Sequence, residues 1–331
     1  MDPLTHGLIG ASASASVARK DHLRIAGMLG AAAAMLPDLD VLISNAPDPL
    51  LQLEYHRTIT HSLTFIPVGA LLVTGILWWF LRKRLSFKGT YLYSILGLAT
   101  AGLTDVITSY GVQLLWPFTA TRFSLNLISV FDPLFSLGLV IGLGWALYHK
   151  TQQPTRLGIV WMILYLLFGF IQQQKAENTA HNMAQQREHE IQELIVKPTI
   201  ANQILWSIRY TSDDSLYADG IWMVPFADSK VYKGDSAKLL NWEEDYNSYK
   251  GTTLYRDIQR FDQLSNGVLV RHPDSSQVLG DGRYAMLPTS INPLWGIKID
   301  TTQAGQHIAF ETYRDAGPEV RSSFLDMIMG K

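Results

Sequence analysis

Cysteine is absent from this 331-residue chain. That excludes a disulfide framework and a Cys-ligated metal, and it fits either side of a membrane. Net charge is close to absent as well, at −2, so no nucleic-acid partner is expected. A basic leader is missing: Met1–Gly7 carries Asp2 and His6, and a weakly apolar Gly/Ala/Ser run follows. The early segment is therefore expected to be retained rather than cleaved as a signal peptide. Charge is also scarce up to about residue 173, outside short clusters. Beyond that point the chain is polar, aromatic and charged, like an ordinary soluble domain. The mean hydropathy of +0.08 averages over these two unlike halves.

Four stretches have the length and apolarity expected of membrane-spanning helices: Leu63–Leu81, Tyr91–Ser109, Ile128–Tyr148 and Leu157–Ile171. Two earlier segments, Leu4–Ala18 and Ile25–Leu36, are short and rich in small residues. They are expected to form a helical hairpin inside the bundle, since Ala, Gly and Ser permit close helix approach. Arg19, Lys20 and Arg24, then Arg82, Lys83, Arg84 and Lys88, then Lys150 and Arg156 fall on one side if the chain weaves up and down. The opposite loops hold only Arg57 and Arg122. The positive-inside rule places the first set in the cytoplasm and the second half of the chain outside.

The fold class expected is an α-helical polytopic membrane bundle, a short N-terminal hairpin plus four spans, followed by a small α+β soluble domain. The boundary falls between 1–173, membrane-embedded, and 174–331, extracytoplasmic. The second part should open with a polar helix over Ala176–Val196, ended by Pro198. Strand-like runs follow at Ile204–Thr211, Leu216–Phe226, Val268–His272, Trp295–Asp300 and His307–Tyr313, with a helix at Thr253–Leu264. No catalytic motif stands out there.

Chemistry concentrates in the first half. His6, Asp38, Asp40, His56, His61, Asp105 and Asp132 all fall at the extracytoplasmic end of the bundle in this topology. Charge inside a span is costly and marks a functional site. Asp38 and Asp40 follow Pro37, which should end a helix, and residues two apart in an extended turn point the same way. Both carboxylates can then face one cation. His56 and His61 are five apart, about 140° of rotation on an ideal helix, so one regular face cannot present both. His56 is read as a loop residue, Thr60 as the N-cap of the next helix, and His61 as part of its first turn. Imidazole plus carboxylate suits zinc, and extra carboxylates admit manganese or iron. Six candidate ligands exceed one tetrahedral site, so one or two ions are expected.

Thr104, Asp105, Thr108 and Ser109 make a polar stripe on one helix face. Arg57 can bind an anion such as phosphate or snorkel to lipid headgroups. Trp116-Pro117-Phe118 has the character of a membrane-interface anchor. The other six histidines, His22, His149, His181, His189, His272 and His307, stand outside the pattern and are read as surface residues.

Asp-Pro-Leu-Thr-His at the start, then Leu-Pro-Asp-Leu-Asp, His-Arg-Thr-Ile-Thr-His-Ser, and Asp-Val-Ile-Thr-Ser-Tyr-Gly with Leu-Leu-Trp-Pro-Phe, resemble the YdjM-like family. The resemblance covers about residues 1–173. It implies a bacterial inner-membrane protein of a group described as predicted metal-dependent hydrolases. It also implies His6, Asp38, Asp40, His56, His61 and Asp105 as the metal-binding set. The family's distant similarity to zinc-dependent phospholipase C implies a phosphoester substrate.

The functional expectation is a membrane-bound metal-dependent hydrolase. Its substrate would be a lipid or lipid-linked (phospho)ester at the extracytoplasmic membrane face, with membrane lipids as its surroundings. Asp38, Asp40 or Asp105 would be the general base, and Arg57 would hold developing negative charge. Two other classes fit the same residues. A metal or ion transporter would use them as a transport site, although such sites usually lie at the bilayer midplane in internal repeats, and no repeat is visible. A non-catalytic anchor would use metal only to stabilise the fold while presenting the C-terminal domain to a partner.

Overall fold

The computed structural model describes residues 1–42, 47–314 and 316–331. The described chain divides into two compact units. The first holds residues 1–42, 55–171 and 200–202, and the second holds 47–54, 172–199 and the remainder from 203.

The first unit begins with helix α1, Pro3–Val17. Asp2 caps it by accepting from the Thr5 amide, and Pro3 occupies the first turn, where its missing N–H costs nothing. Helix α2 spans Leu23–Met35, with 3-10 turns on either side at Lys20–His22 and Pro37–Leu42. Helix α3, Leu50–Tyr55, and a 3-10 turn at Ile59–His61 precede α4, Phe65–Leu81. Helices α5, Phe87–Val106, and α6, Pro133–His149, follow. The long α7 runs Gln153–Gln186.

α1, α2 and α5 meet through glycine. A Cβ on Gly10 or Gly97 would run into the backbone of Gly30, and one on Gly30 into the Gly10 carbonyl. Only residues without a side chain allow this approach, and that is how the two short N-terminal helices pack as an inner pair.

Among the described residues, two helical runs are long and apolar enough to cross a membrane, Lys20–Leu42 and Gln153–Gln186. A third arises if Leu50–His61 and Phe65–Leu81, bent by 83°, count as one span. Pro133–His149 is apolar but shorter. The four expected spans are thus not confirmed as a set. α5 carries Lys88, Thr90, Ser94, Thr100, Thr104 and Asp105, which lower its apolarity. α6 begins only at Pro133 because Asp132 caps it through the amides of Leu134 and Phe135. The early segment around α2 is longer than expected because the flanking 3-10 turns extend it.

The second unit contains two antiparallel sheets. The first comprises β1 (Glu193–Pro198), β2 (Leu205–Ser212), β3 (Ser215–Trp222), β4 (Lys230–Tyr232) and β5 (Ser236–Lys238). Its order is β1-β2-β3-β4, with β5 also on β3. Ala176, Ala180 and Met183 of α7 pack against Trp206, Ile208 and Ile221 of this sheet. After the short α8 (Trp242–Asp245) comes α9, Thr253–Leu264, at the bounds the sequence pattern predicts. A four-stranded meander completes the unit: β6 (Leu269–His272), β7 (Ser275–Asp281), β8 (Trp295–Lys298) and β9 (Ala309–Thr312). Leu254, Ile258 and Phe261 of α9 share its core with Leu279, Trp295 and Ile297. The last element is α10, Pro318–Ile328.

Two expectations are corrected. The polar helix over Ala176–Val196 is no separate element: its first part is the end of α7, and Glu193–Pro198 is β1, paired residue by residue with β2. Nothing between Ile171 and Gln186 breaks a helix, so the apolar and polar stretches run on as one. Pro198 ends a strand, at the edge of the sheet where a proline is tolerated.

Candidate metal centre

Four segments of the first unit converge on one cluster. α1 brings His6, the 3-10 turn after α2 brings Asp38 and Asp40, the turn after α3 brings Arg57 and His61, and the end of α5 brings Asp105. His6, Asp40, Arg57, His61 and Asp105 are buried, and Asp38 and His56 are partly exposed.

Asp40 is the hub of the ligand turn. It faces His56 Nδ1 at 2.6 Å and His61 Nδ1 at 3.3 Å. It also accepts from the Arg57 amide at 3.0 Å and the Thr60 hydroxyl at 2.9 Å. An ionised carboxylate only accepts, so both rings donate to it through Nδ1. Thr60 spends its proton on Asp40, leaving its oxygen 3.1 Å from His61 Nδ1 as a further acceptor. In the neutral ring the lone pair of His61 then lies on Nε2. Thr60 is therefore a partner of Asp40 and not the N-cap of the next helix, which begins only at Phe65.

His6 is fixed the same way. Thr104 Oγ1 donates to the Thr100 carbonyl at 2.7 Å and faces His6 Nδ1 at 3.2 Å. The His6 ring donates through Nδ1, so its lone pair also lies on Nε2.

The two Nε2 atoms point to the same carboxylates. His61 Nε2 is 3.2 Å from Asp105 Oδ2 and 3.5 Å from Asp38 Oδ1, and His6 Nε2 is 3.3 Å from Asp105 Oδ1. None of these contacts is a well-formed hydrogen bond: His6 Nε2, His61 Nε2, Asp38 Oδ2 and Asp105 Oδ2 are buried without a hydrogen-bond partner. Ligand atoms of His6, Asp38 and Asp105 all lie within 4.8 Å of one another. Buried polar atoms are normally satisfied, and lone pairs meeting lone pairs repel. A cation among them removes both costs, so the residues present fit a metal of the zinc, manganese or iron type.

Arg57 Nη2 lies 3.2 Å from Asp105 Oδ1, and the Met1 amino group also contacts Asp105. Three carboxylates thus exceed the positive groups around them. Arg57 Nε and Nη1 are buried and make no hydrogen bond. The Arg57 backbone is left-handed, at φ 62°. Asp40 accepts its amide and the Gln113 amide donates to its carbonyl, at 3.0 Å each, so bonds on both sides hold a conformation that costs a non-glycine residue about 1–3 kcal/mol. Arg122 donates to the His56 carbonyl at 3.2 Å and steadies the same turn.

The model of the YdjM inner membrane protein family matches residues 1–176, which includes all of these side chains. The chain belongs to the YdjM inner membrane protein family. With its apolar helices, that makes it a membrane protein. A relative in Bacillus subtilis (strain 168), named Uncharacterized protein YfhP, is 25% identical over 192 residues, 56% of this chain and 55% of the relative. The match thus takes in little more than half of that relative's length. No solved structure matches the chain.

Several residues take places the sequence pattern did not specify. Thr60, Thr104, Gln113 and Arg122 support the site: Thr60 and Thr104 stood in sequence patterns, Arg122 stood out only as a loop charge, and Gln113 carried no signal. His56 reaches Asp40 and not the Asp105 cluster, although its ring centre is 6.0 Å from that of His61. Asp132 caps α6 and accepts from the Tyr165 hydroxyl at 2.8 Å. Thr108 donates to the Asp105 carbonyl, a backbone role. Of the histidines read as surface residues, His272 is buried, His189 is partly buried and bound to the Tyr210 hydroxyl at 2.9 Å, and His307 is exposed but bound to Asp257 at 2.9 Å.

Proposed function

We propose that this protein is a membrane metal-dependent hydrolase that cleaves a lipid or lipid-linked phosphoester at the extracytoplasmic face. The observation that carries the reading is the set of buried, hydrogen-bond-free atoms, His6 Nε2, His61 Nε2, Asp38 Oδ2 and Asp105 Oδ2, beside two free donors of Arg57. His6, His61, Asp38 and Asp105 would hold the ion. Asp40 would orient His61 and raise its basicity, as carboxylates behind ligating histidines do. The ion, when bound, supplies Lewis acidity that polarises a phosphoryl oxygen and acidifies water.

The chain's own groups divide the remaining work. Asp38 is the most exposed of the three carboxylates, and its free Oδ2 is the acceptor we assign for the proton of the attacking water. Asp105 is enclosed by Arg57, His6 and His61 and is better suited to holding charge than to exchanging protons. Arg57 keeps donors on Nε and Nη1, on different edges of the guanidinium, for phosphoryl oxygens on which negative charge grows. The multi-pass topology and outward placement of 174–331 follow from the loop charges and belong to this proposal.

The test is turnover. Detergent-purified protein loaded with zinc or manganese should cleave at least one member of a phospholipid and prenyl-phosphate panel. His61→Ala should abolish that cleavage. Fully loaded protein that cleaves no member of the panel would refute the proposal.

A further inference from the structure

The second unit has a charged cluster of its own. Arg260, on α9, uses all five guanidinium N–H donors on three carboxylates. Nε and Nη2 donate to Glu54 at 2.7 and 2.8 Å, Nη1 and Nη2 donate to Asp48 at 3.1 and 3.0 Å, and Nη1 also donates to Asp257 at 2.8 Å. Asp257 is buried and also accepts from His307 Nδ1 at 2.9 Å and the Ile308 amide at 3.2 Å, so the guanidinium is held from behind.

Asp48 lies just before α3 and Glu54 lies in its last turn. A helix of six residues has no stability of its own, because nucleation outweighs so few hydrogen bonds. Tertiary anchors must hold it, and it has two. Leu50 is fully buried in the core formed by Leu254, Ile258, Phe261 and Trp295, and Arg260 clamps both ends.

The same short segment leads into the ligand turn. Glu54 is two residues before His56 in the chain. α3 ends at Tyr55, whose carbonyl accepts from the Thr58 amide at 3.3 Å and the Thr58 hydroxyl at 2.6 Å. His56, the Arg57 amide, Thr60 and His61 then all meet Asp40.

We propose that Arg260 is a positioning residue: by clamping α3 it holds the His56–His61 turn in the arrangement that presents His61 Nε2. The consequence for metal affinity rests on the metal reading above, whereas the holding of the turn does not. This gives the soluble half of the chain a task at a centre to which it contributes no ligand.

Hydrogen–deuterium exchange on full-length protein in detergent, combined with zinc titration against a competing chelator, tests this. Arg260→Ala should raise exchange of the amides in 48–61 about tenfold or more and leave those of β2, β3, β7 and β8 unchanged. Zinc affinity should fall about tenfold, as when a partner behind a ligand is lost. Arg260→Lys should recover part of both effects, since one ammonium replaces a five-donor fork. Unchanged exchange at 55–61 overturns the proposal whatever zinc does. Exchange that rises throughout the second unit overturns it too, because Arg260 would then serve only the stability of that unit. Wild-type protein that binds no zinc, with exchange still rising only at 48–61, upholds the clamp and refutes the metal reading instead.

Discussion

Asp40 Oδ2 lies 3.3 Å from His61 Nδ1, and that pairing decides which nitrogen of His61 faces Asp105. Asp40 has no proton to give, so the neutral ring donates to it through Nδ1 and keeps its lone pair on Nε2. Thr104 does the same for His6 from a different helix. In their neutral forms, two rings from separate segments are thereby held in the same tautomer.

If Asp40 orients and does not ligate, Asp40→Asn should weaken zinc binding about 10–100-fold while leaving the full stoichiometry reachable at saturating zinc. Chelator competition measures the first quantity and elemental analysis the second. A variant that takes up no zinc even at saturation would make Asp40 a ligand.

Arg57→Ala should lower turnover of a phosphoester about 10²–10³-fold, the usual cost of one donor at a developing charge. Metal content should stay at the wild-type level. Arg57→Lys should rescue little, because a compact ammonium cannot reach the positions of both Nε and Nη1. Steady-state kinetics beside metal analysis distinguishes this from damage to the site.

Gly30→Ala places a methyl group into the Gly10 carbonyl, whereas Gly75 has nothing within 4 Å of an added Cβ. Gly30→Ala should therefore destabilise the helical unit by about 1–3 kcal/mol, as overpacking does. Gly75→Ala should be neutral or gain about 0.5–1 kcal/mol of helix propensity. Thermal unfolding in detergent compares the two.

The Arg260 clamp predicts a pH dependence. Partial burial pushes the Asp48 carboxyl up, but the hydrogen bonds and charge of Arg260 override this and hold it below its ordinary value of 3.8. A depressed carboxyl contributes stability that is fully present above the unfolded value and lost as pH falls through the folded one. Exchange at 48–55 should therefore be flat from neutral pH to about pH 5, after correction for the intrinsic rate, and should rise only below about pH 4. A rise already near pH 6 would mean that another group controls the clamp.

The convergence of His6, Asp38, His61 and Asp105 was legible because loop charge and span length place separated motifs at one end of a bundle. Their division of labour was not. Asp38 and Asp40 look equivalent in Pro-Asp-Leu-Asp, yet Asp40 is occupied by four partners and Asp38 keeps a free oxygen. β2, β3, β6, β8 and β9 were legible as Trp/Tyr/Ile/Val runs. β7 was not, because Ser-Ser-Gln-Val-Leu-Gly-Asp carries only two large apolar residues and is held by pairing with β6 and β8. The place of Leu50 was hidden for a related reason: local sequence shows that it is apolar, and only the tertiary fold shows that its neighbours are Leu254 and Phe261.

The central claim is that His6 and His61 hold a metal ion. Elemental analysis of detergent-purified wild type beside His6→Ala/His61→Ala tests it most directly. The account predicts about one or two ions of zinc, manganese or iron per chain in wild type, and none in a double variant that remains folded. Folded wild type that binds no metal after reconstitution, or a double variant that keeps its full complement, would contradict it.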